Sequence, residues 1–506
     1  MTDRRARYDA AGPLIALAGL VAGVLVGVEV GPAPAAGVYA VGVIGLAASW
    51  WTTTRVRVAL AALALGALGC AAMQRALDGG VDAPVHEWQG IRATFDATVA
   101  RDPTGTPYST SLVLRLHGVA DDATGSVRPL RPALLYATGS GDAAGRLRVL
   151  TTGDRVVVSG LVRPLGPVDD WLQWRHVVAR LERVSLLEFS PPSSPMFAVA
   201  DRLRAVVLRG TSHLPLEQRA QVAGFVLGDT RELPRELEQA YRDAGLSHLL
   251  VVSGANVAFA LALAGPVIRR LPLAGRFGAG TAVVVLFATM TRFEPSVLRA
   301  SVLAATVMLT DLVGRPTSRL RTLALAVIAL VVVDPFLVFV PGFLLSCAAT
   351  AGIAFWARPI GAALPGPRVV RETTAVSLAA QLGVAPVLLA RFGEIPVVAP
   401  LANLVAAPAA EPLGVIGLAG GSFAGLVAPR IPLVGAVVAL PLRLLVDWVS
   451  LVARTAASVP LVVDRRAALA VVAVVSLAAA GWRGRGGSLR RDASRSGRSL
   501  PDAPTR

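Results

Sequence analysis

Residues 245–256 read Gly245-Leu-Ser-His-Leu-Leu-Val-Val-Ser-Gly-Ala-Asn256, and an apolar run continues from there to Ile268. About 20 mostly apolar residues are what a helix needs to cross the hydrocarbon core of a bilayer. The stretch therefore reads as a membrane span with His248, Ser253 and Asn256 near its start. Polar groups inside a span are costly and usually face the bundle interior. Further apolar runs lie near 277–291, 296–313, 321–340, 341–357, 373–390, 396–428, 432–453 and 467–482. Composition agrees: of 506 residues, 54% are hydrophobic and 16% charged, with a mean hydropathy of +0.61. Soluble domains carry about a quarter charged residues, so most of this chain is a membrane domain.

Three more apolar runs open the chain, at 13–30, 36–51 and 56–74. Arg4, Arg5 and Arg7 precede the first, and Arg55 and Arg57 separate the second from the third. Later arginine clusters (Arg269, Arg270 and Arg276; Arg315, Arg319 and Arg321; Arg358, Arg368 and Arg371) fall in every second loop. The loops between hold Glu294, Asp334-Pro335 and Glu394. This alternation predicts about 12 spans in the inner membrane with both termini cytoplasmic. Net charge is +16 and no lysine occurs. The arginine excess suits nucleic acid or anionic lipid, but topology accounts for most of it.

Between the third and fourth spans the character changes. Residues 78–195 are polar and rich in turns, and Ile91–Val99 alternates apolar with polar, the period of a half-buried strand. Residues 112–116 and 155–162 are further strand candidates, so a small extracytoplasmic β-barrel is expected. Residues 196–245 read as amphipathic helices on the membrane surface or over a pore mouth. The predicted organisation is 1–77 for the first helices, 78–195 for the barrel, 196–245 for surface helices, 246–482 for the main transmembrane domain and 483–506 for a disordered Arg-rich tail. Pro400, Pro408 and Pro412 make 396–428 a candidate broken or re-entrant helix. The run 432–453, with Arg443 and Asp447, can span or lie at the surface.

Several polar residues interrupt the spans. Ser253 with His248 admits a nucleophile reading, while Gly254 suits close helix packing. In Arg292-Phe-Glu294-Pro295-Ser-Val-Leu-Arg299, Arg299 needs water or a partner, and Glu294 is the nearest acid in sequence. A polyanion crossing the membrane needs positive lining, which favours Arg299 as a pore residue. Ser346 and Thr350 share a helical face and can line a wet cavity or bond back to their own helix. Gln381, Asn403 and Glu411 complete the intramembrane candidates. Cys70 and Cys347 lie in apolar runs and read as small buried residues.

These stretches, in order, resemble the ComEC-type competence family. The matching pieces are Gly245 to Gly254, Pro295 to Ala300, Asp334-Pro335 with Gly342 to Ser346, Ala380-Gln381, Arg391 to Gly393, and Ala402 to Leu404 with Pro408. The resemblance implies a channel that carries single-stranded DNA through the lipid bilayer, with segment 78–195 as an OB-like domain meeting DNA outside. Trp88, Tyr108, Trp171 and Trp174 are its aromatic candidates, with core packing as their other reading. It also implies an outer DNA receptor and a cytoplasmic DNA-translocating ATPase as partners. Two departures stand out: Asn256 occupies a position where many members carry His, and the metallo-β-lactamase-like domain of many members has no counterpart here. With five His and no His/Asp cluster, the expectation is no metal, no cofactor and no enzyme activity, with strand degradation left to a separate nuclease. The competing readings are a transporter of a small solute or lipid-linked saccharide and an intramembrane hydrolase.

Overall fold

The computed structural model describes residues 2–466 except 33–34, 50, 107, 121–125, 251, 253, 313–317, 460–461 and 465. The predicted span at 467–482 and the tail at 483–506 lie outside the described residues. The chain opens with α1 (Thr2–Val30), α2 (Ala36–Ser49) and α3 (Thr54–Val81). Helices α1 and α3 meet along Gly19, Gly23 and Gly27, where a Cβ on Gly23 would overlap the carbonyl of Gly66. Small residues spaced four apart let backbones approach where no hydrophobic force drives helices together.

The barrel follows, with strands β1 (Arg92–Thr106), β2 (Ser109–Ala120), β3 (Val127–Pro129), β4 (Leu134–Ser140), β5 (Arg155–Pro164) and β6 (Val177–Ser190). Helix α4 (Asp142–Arg148) joins β4 to β5, and α5 (Asp170–Gln173) lies in the β5–β6 connection. Strand order is β1-β5-β6-β4-β2, closed by β1 against β2, with β3 added beside β2. Among the described strands, β4 and β6 alone pair in parallel. The period-two pattern sends Phe95, Ala97 and Val99 inward to meet Leu114, Leu135, Val158 and Leu181 in a dry core.

The remainder is helical: α6 (Pro195–Gly210), α7 (Leu216–Leu227), α8 (Arg235–Asp243), α9 (Ser247–Leu250), α10 (Gly254–Ile268), α11 (Leu273–Met290) and α12 (Pro295–Leu312). Then come α13 (Arg319–Val333), α14 (Pro341–Ala363), α15 (Arg368–Arg391), α16 (Ala399–Val415), α17 (Gly421–Val427) and α18 (Pro432–Ala457). Two short strands, β7 (Glu394–Pro396) and β8 (Val462–Asp464), pair and bring the ends of α15 and α18 side by side. Among the described residues eight helices are long and apolar enough to cross a membrane, and three shorter apolar ones stand at Ala36–Ser49, Pro295–Thr310 and Leu320–Val333. Consecutive helices joined by short turns run antiparallel, so Arg269, Arg270, Arg368, Arg371 and Arg430 gather at the end of the bundle away from the barrel.

Three expectations sharpen. The segment 196–245 is not an exposed surface layer throughout: all residues from Ala220 to Leu227 of α7 are buried, and α7 joins the main core. The charges that suggested a surface helix sit in α6, α8, the connections and the first turn of α7 (Glu217 and Arg219), while 220–227 carries none. Residues 399–427 form one continuous helical rod with a π-helical turn at Ile416–Gly420, not a re-entrant pair. Pro408 and Pro412 each remove a helical hydrogen bond, and a π turn is a common local adjustment inside a helix. Helix α18 is long and apolar enough to span and buries Leu442, Val446, Val449 and Ala453.

Candidate functional site

Three of the family-like motifs, those of Gly254, Arg299 and Ser346, come together on α10, α12 and α14. Arg299 lies on α12, four residues past its first residue Pro295, and is only 7% exposed. Its Nε donates to Ser346 Oγ at 2.7 Å. A Cβ on Gly254 would stand 3.3 Å from Arg299 Nη2 and 3.2 Å from Ala300 Cβ, so glycine there leaves room for the guanidinium. No carboxylate among the described residues ion-pairs with Arg299. Glu294, its nearest acid in sequence, faces the barrel instead. Burial pushes the Glu294 carboxyl up against the pull of Arg101 and Arg175. A buried cation held by one neutral hydroxyl is an anion-attracting centre in a region of low dielectric.

The other predicted residues divide. Ser296 Oγ donates to Val252 O at 2.6 Å, fixing the break between α9 and α10 beside the start of α12. Asn256 is a structural tie: its Nδ2 donates to Phe225 O of α7 at 2.8 Å, and the residue is buried. Thr350 Oγ1 bonds back to Ser346 O at 2.9 Å, so the local partner wins over a cavity. His248 is exposed, and Ser253, its partner in the nucleophile reading, lies outside the described residues. Gln381 and Asn403 are half-buried, and Glu411 is exposed rather than enclosed among alanines. Gly245 adopts φ +70° and packs so near Ala399 that a side chain would clash. Gly342 has open space around it, and nothing in the structure explains it. Pro408 sits inside α16.

Asp334-Pro335 has a double role. Asp334 Oδ1 accepts from Phe336 N at 3.0 Å, capping the turn of 3-10 helix over Pro335–Phe339. The same oxygen lies 3.0 Å from His176 Nε2 of the barrel. Beside it, Trp174 stacks on Phe339 with ring centroids 4.3 Å apart. Trp174 is thus a docking residue between barrel and bundle. Trp88 packs edge-on against Phe95, and Trp171 against Tyr136 with Arg175 above it at 5.0 Å. Tyr108, at the β1–β2 turn, is 82% exposed and borders an open groove with Arg148, Arg231 and Arg235.

A second cluster escaped the sequence reading. Asp102 on β1 accepts from Thr152 N at 2.8 Å and Thr152 Oγ1 at 2.6 Å, and pairs with Arg292 at 3.1 Å and Arg204 at 3.5 Å. Arg292 reaches Asp201 at 2.6 Å, and Arg204 and Arg231 reach Asp229 at 2.9 and 2.7 Å. Burial alone would raise the Asp102 carboxyl, but Arg292, Arg204, Arg231 and Thr152 bring it down to about 2. The usable signal in the sequence was Arg292 itself, an arginine in a loop on the side where arginine is otherwise scarce. Among the described residues no group of three or more His, Cys, Asp or Glu could hold a metal ion.

Two curated relatives and one family model match parts of the chain. YcaI of Escherichia coli (strain K12), an uncharacterized protein, is 29% identical over 215 residues, which are 39% of this chain and 28% of YcaI. The ComE operon protein 3 of Bacillus subtilis (strain 168) is 25% identical over 243 residues, 47% of this chain and 31% of that protein. The matches thus span less than a third of either relative, and no solved structure matches. The family model described as competence protein matches residues 225–485, more than half of the chain, and takes in α10, α12 and α14 around Arg299. The motif order, the apolar helices and the extent of this match agree: the chain is a multi-pass membrane protein of the competence protein family.

Proposed function

We propose that this chain is an inner-membrane channel for single-stranded DNA during natural transformation. The observation that carries the reading is Arg299, buried in the bundle with Ser346 as its partner and, among the described residues, no carboxylate paired with it. A cation so placed favours a passing phosphate, because anions are otherwise excluded from low-dielectric surroundings. His248, Gln381 and Asn403 are the further polar residues of the path. The proposed topology has about 12 spans, both termini in the cytoplasm and the barrel outside, with the arginine-rich turns on the cytoplasmic side. The five-stranded order, with one parallel pair and a helix between the third and fourth barrel strands, supports an OB-like domain that receives the strand. An outer DNA receptor, a cytoplasmic translocating ATPase and a separate nuclease complete the proposed system. No catalytic role is assigned to the chain.

Deleting the gene and scoring labelled DNA in the cytoplasm tests this. Arrival should stop, return with the wild-type gene and stay low with Arg299→Glu. Undiminished arrival in the deletion strain would end the proposal.

A further inference from the structure

Arg292 and Phe293 occupy left-handed backbone, at φ 58° and 55°. Two successive residues with side chains in this region are strained, and such strain persists only where surroundings hold it. The surroundings are specific. Arg292 Nη2 is held by Asp201 of α6 at 2.6 Å, and its Nε by Asp102 of the barrel at 3.1–3.2 Å. Asp102 is itself fixed by Thr152. The Arg292 side chain is 8% exposed, and its Nη1 is buried without a partner. The loop is a four-residue link between α11 and α12. Immediately beyond it α12 carries Ser296, which holds Val252, and Arg299, which holds to Ser346.

We propose that Arg292 senses the position of the barrel: while Asp102 is docked, the 291–294 loop stays in its strained form and sets the start of α12, and departure of the barrel lets the loop relax and α12 shift. Arg292 is a positioning residue that acts through Arg299 and Ser296. The coupling travels through one loop with two arrangements, the requirement for a physical switch. This goes beyond the channel reading and does not depend on it, since the test below reads the loop whether or not DNA passes.

Hydrogen exchange on the full chain in lipid nanodiscs gives the test. In the docked form Phe293 N is bonded to Ala288 O at 2.8 Å and Arg292 N to Thr289 O at 3.2 Å. Asp102→Asn should raise exchange across 290–296 by about tenfold or more, with strand β2 unchanged. Adding Phe293→Gly, which removes most of the strain at that residue, should return much of the protection. A loss of packing alone would not be repaired by glycine. Unchanged exchange in Asp102→Asn, or equal exchange with and without Phe293→Gly, overturns the proposal. If Asp102→Asn loosens the whole barrel, Thr152→Val, which removes the hydroxyl bond to Asp102 but keeps the backbone N–H bond and the charge, should give a smaller rise over 290–296 that Phe293→Gly again reverses; no rise, or one that glycine leaves in place, overturns the proposal.

Discussion

Arg292 and Arg299 stand seven residues apart, both keep their side chains largely out of solvent, and they differ in what surrounds them. Two carboxylates, from the barrel and from α6, enclose Arg292. Arg299 has the hydroxyl of Ser346. An arginine neutralised by fixed acids is committed to the fold. One without an acid keeps its attraction for a mobile anion. The pair shows how one residue type, in one short stretch, serves as clamp and as candidate path lining.

The largest expected effect breaks the clamp. Arg292→Ala should cost about 3–5 kcal/mol, because it leaves Asp102 and Asp201 without their shared cation. Thermal unfolding in nanodiscs measures it, and a loss below about 1 kcal/mol would erase the contrast with Arg299. Acid should weaken the same clamp. The Asp102 carboxyl lies at about 2, against 3.8 for an unperturbed one, so its contribution is present above 3.8 and lost as pH falls toward 2. That contribution is about 2 kcal/mol. Melting curves of wild type and Asp102→Asn should therefore converge across this window; parallel curves would show that Asp102 is not held low.

Arg299→Leu sharpens the other side. Stability should change by less than about 1 kcal/mol, since no acid is orphaned, while cytoplasmic arrival of labelled DNA falls by about tenfold. Loss of stability matching that of Arg292→Ala would mean both arginines are structural. The smallest effect is expected at Thr350→Ala, within about 0.5 kcal/mol and with uptake unchanged, because its hydroxyl bonds its own helix. A clear uptake defect there would return Thr350 to the path.

Much of this was legible in the chain. Alternation at 91–99 matched strand β1, and the apolar runs up to 453 matched helices. Arg299 and Ser346 stood out because polar groups in spans are rare. Asn256 and Thr350 stood out for the same reason, yet their partners proved to be backbone carbonyls. The buried state of α7 was misread because a window over 196–245 averaged its apolar centre with charged neighbours.

The sequence alone determined where chain must enter lipid, where a strand-rich domain interrupts it, and which polar residues lie inside spans. Those follow from local composition and period, which act over a few turns of chain. Only tertiary structure decided which arginine is neutralised. Asp102, Asp201 and Arg292 are separated by about a hundred residues each, and Coulomb attraction depends on distance in space, which no local pattern encodes.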